Sequence, residues 1–326
     1  MIRLAEAMRL AHTTGMTDTN RGDDSVSGDG EMSLRETGAF DAKDPMMVAR
    51  VFREAAEVNL RSKWREGSSI RLPGSGRLLM TGDLHDNALH YRKLLKLAGL
   101  DRGEDRHLIL HEVIHGPHRV NGMDLSVRML AEVAALKLRY PEQLHVMMGN
   151  HELAQLNNEG ILKVGANVVE AFEEGLDFIY GAEAASVREA MRGFLRSLLL
   201  AVRCENGVFC SHSLPGRRSF ERSFDPTILD RVVTDEDLVG RGSARSLVWG
   251  RKHDDELALE LCKAWDAQVF VLGHQPAEMG YEVEGEHIVV INSDHEHGVA
   301  LPIDLSRSYD QGAIVEALLP LAAVLV

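Results

Sequence analysis

The chain has 326 residues, 44% hydrophobic and 26% charged, the composition of an ordinary globular protein that is long for one core and short for three domains. A formal net charge of −14, from 36 Lys and Arg against 50 Asp and Glu, argues against a nucleic-acid polymer as partner, because such binding rests on basic groups neutralising phosphates. Cys204, Cys210 and Cys262 form no Cys-x-x-Cys pair and leave an odd one over, which excludes a disulfide framework and points to a reducing, cytoplasmic setting.

Residues 1–12 carry the spacing of a short amphipathic helix without the apolar core of a secretory signal. From Thr13 to Asp44 the composition shifts to Gly, Ser, Thr and Asp, which bury too little apolar surface to offset their ordering entropy. Residues 1–44 therefore read as a flexible N-terminal extension, and 45–326 as the folded domain. A helix is expected after Asp44, with Pro45 in its first turn and Val48, Val51, Phe52, Ala55 and Ala56 on one face.

The first apolar run, Leu78-Leu79-Met80, enters Thr81-Gly82-Asp83-Leu84-His85-Asp86-Asn87. Residues two apart face the same side of an extended chain, so Asp83 and His85 can aim an oxygen and a nitrogen at one metal ion. Helical spacing follows to Ala98, with Gly99 as its stop. A second run, Leu108-Ile109-Leu110, enters His111-Glu112-Val113-Ile114-His115-Gly116, and a helix is expected over about Met123–Arg139. The third run, Leu144 to Met148, ends in Gly149-Asn150-His151-Glu152. A helical insertion is expected over about 155–200. The fourth run, Val208-Phe209-Cys210, ends in Ser211-His212, and the fifth, Val269 to Leu272, in Gly273-His274. Strand patterns then recur at Tyr281–Glu284, His287–Ile291 and Val299–Ile303, and the apolar tail from Ala313 reads as a final strand. No run reaches the ~18 apolar residues of a membrane span.

Apolar runs alternating with helices indicate an α/β sheet buried on both faces, whose ligands bind beyond the carboxyl ends of the strands. Asp83, His85, Glu112, Asn150, His212 and His274 all stand at such ends. Six mixed oxygen and nitrogen donors exceed the three that hold one catalytic zinc, and suit two divalent metals sharing a carboxylate.

Gly82-Asp83-Leu84-His85, Gly149-Asn150-His151-Glu152, Cys210-Ser211-His212 and Gly273-His274-Gln275, in this order, resemble the calcineurin-like metallophosphoesterases, and within them the phosphoprotein phosphatase branch. The resemblance runs from about residue 77 to 305. It implies a sandwich of two mixed sheets flanked by helices, and two divalent cations, manganese before iron or zinc. It also implies in-line attack on a phosphorylated substrate by a water or hydroxide bridging them. Asp83 and His85 would hold the first metal, and Asn150, His212 and His274 the second. His151 would protonate the leaving oxygen, and Arg251 in Trp249-Gly250-Arg251 would grip phosphate.

The second motif departs from the family's Gly-Asp-x-x-Asp-Arg-Gly. Glu112 falls on the bridging Asp, His115 on the Asp that orients the catalytic histidine, and Gly116 on the phosphate-binding Arg; His118 or Arg119 is the candidate substitute. The same residues spell His111-Glu112-x-x-His115, a zinc-protease signature that requires a helix, here truncated by Gly116-Pro117. Three other readings stand beside the phosphomonoesterase: that protease, a dinucleoside polyphosphate hydrolase, and a metal-binding scaffold without turnover. The sequence sets no oligomeric state.

Overall fold

The computed structural model describes residues 40–163 and 165–326. The expected helix at 1–12 and most of the expected N-terminal extension lie outside them. In chain order the strands are β1 (Arg65–Glu66), β2 (Ser69–Leu72), β3 (Arg77–Asp83), β4 (Arg106–His111), β5 (Arg119–Val120), β6 (Met123–Asp124), β7 (Leu144–Met147) and β8 (Leu162–Lys163). They continue with β9 (Ala166–Asn167), β10 (Ala201–Cys204), β11 (Val208–Ser211), β12 (Val269–Leu272), β13 (Tyr281–Glu284), β14 (Ile288–Ile291), β15 (Val299–Asp304) and β16 (Leu319–Pro320). The helices that matter below are α1 (Pro45–Arg61), α2 (Ala88–Ala98), α3 (Val127–Arg139), α4 (Asn150–Asn157), α5 (Val168–Tyr180) and α6 (Ala184–Arg196).

Two mixed sheets face each other. One runs β1-β2-β10-β11-β12-β14-β13, the other β16-β15-β3-β4-β7. In the second, β3, β4 and β7 are parallel and β15 is antiparallel to β3; in the first, β11, β12 and β14 are parallel. The space between the sheets is filled by Met80, Ile109, Met147, Val202, Val271, Val289, Ile291 and Leu301, all at most 2% exposed. Each such side chain contributes roughly 1.5–3 kcal/mol on burial, which accounts for the continuous apolar runs in the sequence.

The sheets touch where the first run ends. Asp83 forms a parallel bridge with Asn292, and the Gly82 N–H donates to Ser293 Oγ at 2.8 Å. A Cβ on Gly82 would lie 2.2 Å from the Ile291 carbonyl, so only glycine lets the strands close there. The carboxyl ends of β3, β4, β7, β11 and β12 are thus brought to one place.

Helix α1 begins as expected: Asp44 accepts from the N–H groups of Met46 and Met47, with Pro45 at the first position. Its apolar face packs on α6, where the rings of Phe52 and Phe194 stand 5.6 Å apart. Two expectations fail at their edges. The helix expected from Met123 starts at Val127, because Asn121 and Gly122 both take positive φ and turn β5 back on β6. The tail forms a helix, Gln311–Ala317, capped by Asp310, and only then the two-residue β16. Cys204, Cys210 and Cys262 are free. Among the described residues no helix is long and apolar enough to cross a membrane.

Candidate metal centre

The strand ends leave the sheets through strained turns. His85, Asp86, Glu112, His115 and His274 all have positive φ, between 43° and 70°, a conformation that costs a non-glycine residue about 1 kcal/mol or more. Hydrogen bonds hold it: the N–H groups of Leu84 and His85 donate to the Glu112 carbonyl at 3.1 and 2.8 Å, and that of Asp86 to the Val113 carbonyl at 2.8 Å. Glu152, in the first turn of α4, clamps the β4 exit to this helix. Its Oε1 accepts from Val113 N at 2.7 Å, and its Oε2 from Gly149 N at 3.1 Å. Gly149 has no room for a side chain, since a Cβ there would lie 1.8 Å from Glu112 Oε2.

The structure brings together all six donors expected from the sequence. Asp83 accepts from the backbone N–H of His274 with both carboxylate oxygens, at 3.0 and 3.1 Å. Asn150 Oδ1 lies 2.9 Å from His212 Nε2 and 2.8 Å from His274 Nδ1. Glu112 Oε1 is 3.8 Å from His85 Nε2 and 3.6 Å from His151 Nε2, while its Oε2 is 3.6 Å from His212 Nε2. Two clusters of donors stand within 4.8 Å, Asp83 with His111 and His212, and His85 with Glu112 and His151. These clusters separate Asp83 from His85, and they bring in His111 and His151. His85 lies beyond β3 in its own left-handed turn, with its ring toward Glu112.

Hydrogen bonds orient the rings. His85 Nδ1 lies 2.9 Å from the Ile114 carbonyl, which only accepts, so that nitrogen carries the proton and Nε2 presents a lone pair. His111 Nε2 donates likewise to the Thr81 carbonyl at 2.8 Å, leaving its Nδ1 as acceptor 3.3 Å from His212 Nδ1. His212 turns its Nε2 toward Asn150 Oδ1 at 2.9 Å and Glu112 Oε2 at 3.6 Å.

Burial governs the charges. It depresses His85 and His274 to about 3 and His111 and His115 to about 4, and pushes His151 and His212 down as well, so every ring is neutral near pH 7. It raises Asp83 to about 7 and lifts Glu112 and Glu152, which also repel each other. Neutral imidazoles and desolvated carboxylates are what a divalent cation binds, and its charge reverses the cost of ionising the acids. His274 Nε2 is buried without a hydrogen-bond partner among the described residues, a further sign of a donor set that fits metal.

Above the donors lies a cavity of about 430 Å³. Arg251 lines it, together with Lys163 from the β8–β9 hairpin, Trp249, Asp294 and His295. Neither His118 nor Arg119 lines it; Arg119 is taken up in β5. Gly116 is confined: a Cβ would meet Asp86 Cβ at 2.6 Å and the His85 carbonyl at 2.8 Å, so no arginine fits at this position. The protease arrangement is not formed. His111 ends a strand, Glu112 and His115 are in left-handed turns, and the two imidazoles bond to Thr81 and to Gln155. Sequence reasoning missed His111, Glu152 and Lys163 as parts of the site. The first was visible only inside the protease motif, and the last carries no motif.

Two mixed sheets bring Asp, Glu, Asn and His side chains together at five converging strand ends, an arrangement suited to metal-assisted hydrolysis of phosphoesters. The family model described as calcineurin-like phosphoesterase matches residues 76–278, and the chain belongs to that family. Its fold is similar to that of a protein serine/threonine phosphatase from Saccharomyces cerevisiae with similarity to human phosphatase PP5. The TM-score is 0.62 at 16% identity, covering 86% of this chain and 93% of that one. It is also similar to a cold-active protein-tyrosine phosphatase of a psychrophilic Shewanella species, with a TM-score of 0.52 at 14% identity, covering 81% and 84%. No curated protein matches the chain.

Proposed function

We propose that the chain is a metal-dependent phosphomonoesterase of the phosphoprotein phosphatase branch, acting at Asp83, His85, Glu112, Asn150, His212 and His274. The supporting observation is the cavity of about 430 Å³, floored by neutral histidines and buried carboxylates and walled by Arg251 and Lys163. Two divalent cations, manganese in preference to iron or zinc, would supply a water ionised near neutral pH and a sink for phosphoryl charge. Glu112 faces both groups of donors through its two oxygens and is the residue suited to bridge them. Arg251 and Lys163 hold phosphoryl oxygens from opposite sequence regions, the guanidinium through a planar fork and the ammonium as a point charge. His151 turns its Nε2 into the site and delivers a proton to the leaving oxygen during in-line displacement. Three free cysteines accord with a reducing, cytoplasmic location.

The test pairs metal analysis of the purified chain with a phosphoester panel. Hydrolysis of p-nitrophenyl phosphate and of a phosphopeptide with Mn²⁺, abolished by chelation, is the expected result. Turnover confined to dinucleoside polyphosphates would transfer the site to that class, and absence of turnover on the whole panel would sink the reading.

A further inference from the structure

Arg251 stands in the loop 250–254, between the helices Ser243–Trp249 and Asp255–Trp265. The residues on either side of Arg251 tie this loop down. Before it, Ser213 Oγ donates to the Gly250 carbonyl at 2.6 Å, and Gly250 has no room for a Cβ against the Leu214 carbonyl. After it, Lys252 turns the chain in a left-handed conformation, at φ 61°. The His253 ring then points back inward. Its Nε2 lies 3.0 Å from the Leu214 carbonyl and its Nδ1 3.1 Å from Glu284 Oε2 on β13. Glu284 Oε1 accepts from Gln275 Nε2 at 2.8 Å. Ser213 and Leu214 follow His212 in the chain, and Gln275 follows His274, so both anchors sit directly behind proposed metal donors.

The His253 ring faces two acceptors, a backbone carbonyl and a carboxylate, so both ring nitrogens donate. The bond from His253 holds the Glu284 carboxyl below its ordinary range, which keeps that partner ionised. The His253 side chain is 0% exposed and that of Glu284 26%, so water competes little for the pair. The next tie is of another kind. Asp254 accepts from Arg217 Nη2 at 2.6 Å, but these side chains are 48% and 30% exposed, and ion pairs in water restrain a chain weakly. Among the described residues no side chain or carbonyl takes the Arg251 guanidinium, which lines the cavity with Lys163. A side chain without partners takes its direction from its backbone. The buried anchors of that backbone are Ser213 before Arg251 and His253 after it.

We infer that the His253–Glu284 pair is a positioning element for Arg251: it fixes the loop 250–254 to the turns after His212 and His274, so that the guanidinium meets a phosphoryl group seated over the donors. This rests on the phosphate-gripping role proposed for Arg251 above. A loose arginine is ordered at each binding event at a cost in affinity, which a preset loop removes. His253 and Glu284 are positioning residues; neither lines the cavity, and neither touches substrate.

The experiment measures binding of inorganic phosphate alone to the manganese-loaded full chain by titration calorimetry, beside metal analysis, and so needs no turnover. Arg251→Ala weakens binding about tenfold, the loss of one charge-assisted contact. Glu284→Ala, a truncation at a part-exposed position of the edge strand β13, weakens it about three- to tenfold. His253→Gln, which can reach Leu214 or Glu284 but not both, does the same. In the Arg251→Ala background neither substitution weakens binding further, which separates action through Arg251 from a general loosening of the fold. Metal content stays at the wild-type level throughout. Unchanged phosphate affinity in Glu284→Ala and His253→Gln overturns the inference, as does an equal loss in the Arg251→Ala background. Loss of metal in these variants also overturns it, since the pair would then act on His274 through Gln275. Phosphate binding untouched by Arg251→Ala overturns the proposed grip and the inference with it. The expected coupling in a chain that hydrolyses no phosphoester upholds the inference and overturns the proposed function.

Discussion

Glu112 Oε2 lies 3.6 Å from His212 Nε2, where the chain leaving β4 of one sheet meets the chain leaving β11 of the other. The opposite oxygen of the same carboxylate faces His85 and His151. A single glutamate thus lies within 3.8 Å of histidines from both donor clusters. It does so from a backbone at φ 48°, held by hydrogen bonds from the N–H groups of Leu84 and His85 to its carbonyl.

That position makes Glu112→Gln informative. Burial and the neighbouring Glu152 push the Glu112 carboxyl well above its ordinary range, which disfavours its ionised form without metal and makes a carboxamide a close stand-in. The metal-free variant should melt where the wild type does, within about 0.5 kcal/mol. Metal content, measured by plasma mass spectrometry, should fall at both sites together, because the carboxamide cannot supply the shared charge. Unchanged stoichiometry would show that Glu112 does not bridge.

His151→Asn separates proton delivery from metal binding. The His151 ring turns its Nε2 into the site, 3.6 Å from Glu112 Oε1, whereas six other side chains are the proposed metal donors. The variant should retain full metal content and lose about 10²–10⁴-fold in kcat, the range for removal of a general acid. Loss of metal in parallel would reassign His151 as a ligand.

Lys163 should act on binding rather than on chemistry. Gly116 cannot carry the arginine that the family places there, and among the described residues Lys163 and Arg251 are the Lys and Arg that line the cavity. Removal of one charge-assisted contact predicts about a tenfold rise in KM for Lys163→Ala with little change in kcat. Arg119→Ala, at a residue outside the cavity, serves as the control and should leave both constants unchanged.

The strand ends were legible because strands and ligands follow rules of short range. Five apolar runs ended in Asp83, Glu112, Asn150, His212 and His274, and a buried parallel sheet makes such ends converge whatever the connections between them. Lys163 was not legible. It reaches the cavity from a two-residue strand, Leu162–Lys163, whose position depends on Val168 bonding the Ile161 carbonyl and on Ile161 packing beside Trp249. The hydrogen bonds from His115 to Gln155 and from Gln155 to Glu173 were hidden for the same reason. Spacing along α4 shows that Gln155 follows His151 by one turn, but only tertiary packing sets Glu173 of α5 against it. The Asn121-Gly122 hairpin is the opposite case, a local turn signal that was overridden by helical periodicity starting too early.

Acid stability should report on a second histidine pair, remote from the metal centre. His107 of β4 and His145 of β7 are buried, with Nδ1 and Nε2 3.1 Å apart and the Trp64 ring edge-on to His107 at 5.9 Å. Burial lowers His107 to about 4 and also pushes His145 well below the ordinary value near 6.5. Between pH 6.5 and 4 the unfolded chain therefore binds protons that the folded chain refuses, and stability falls as pH falls through this window. His107 alone accounts for about 3 kcal/mol between those limits. Asp83 and Asp86, both raised to about 7 by burial, slope the other way, since the folded state holds their protons where the unfolded state does not. Total stability thus mixes the two trends, and the difference between wild type and His107→Gln isolates the histidine. In urea titrations of metal-free protein that difference should shift by about 3 kcal/mol in favour of the variant from pH 7 to pH 4. A difference independent of pH would mean that His107 is protonated in the folded chain.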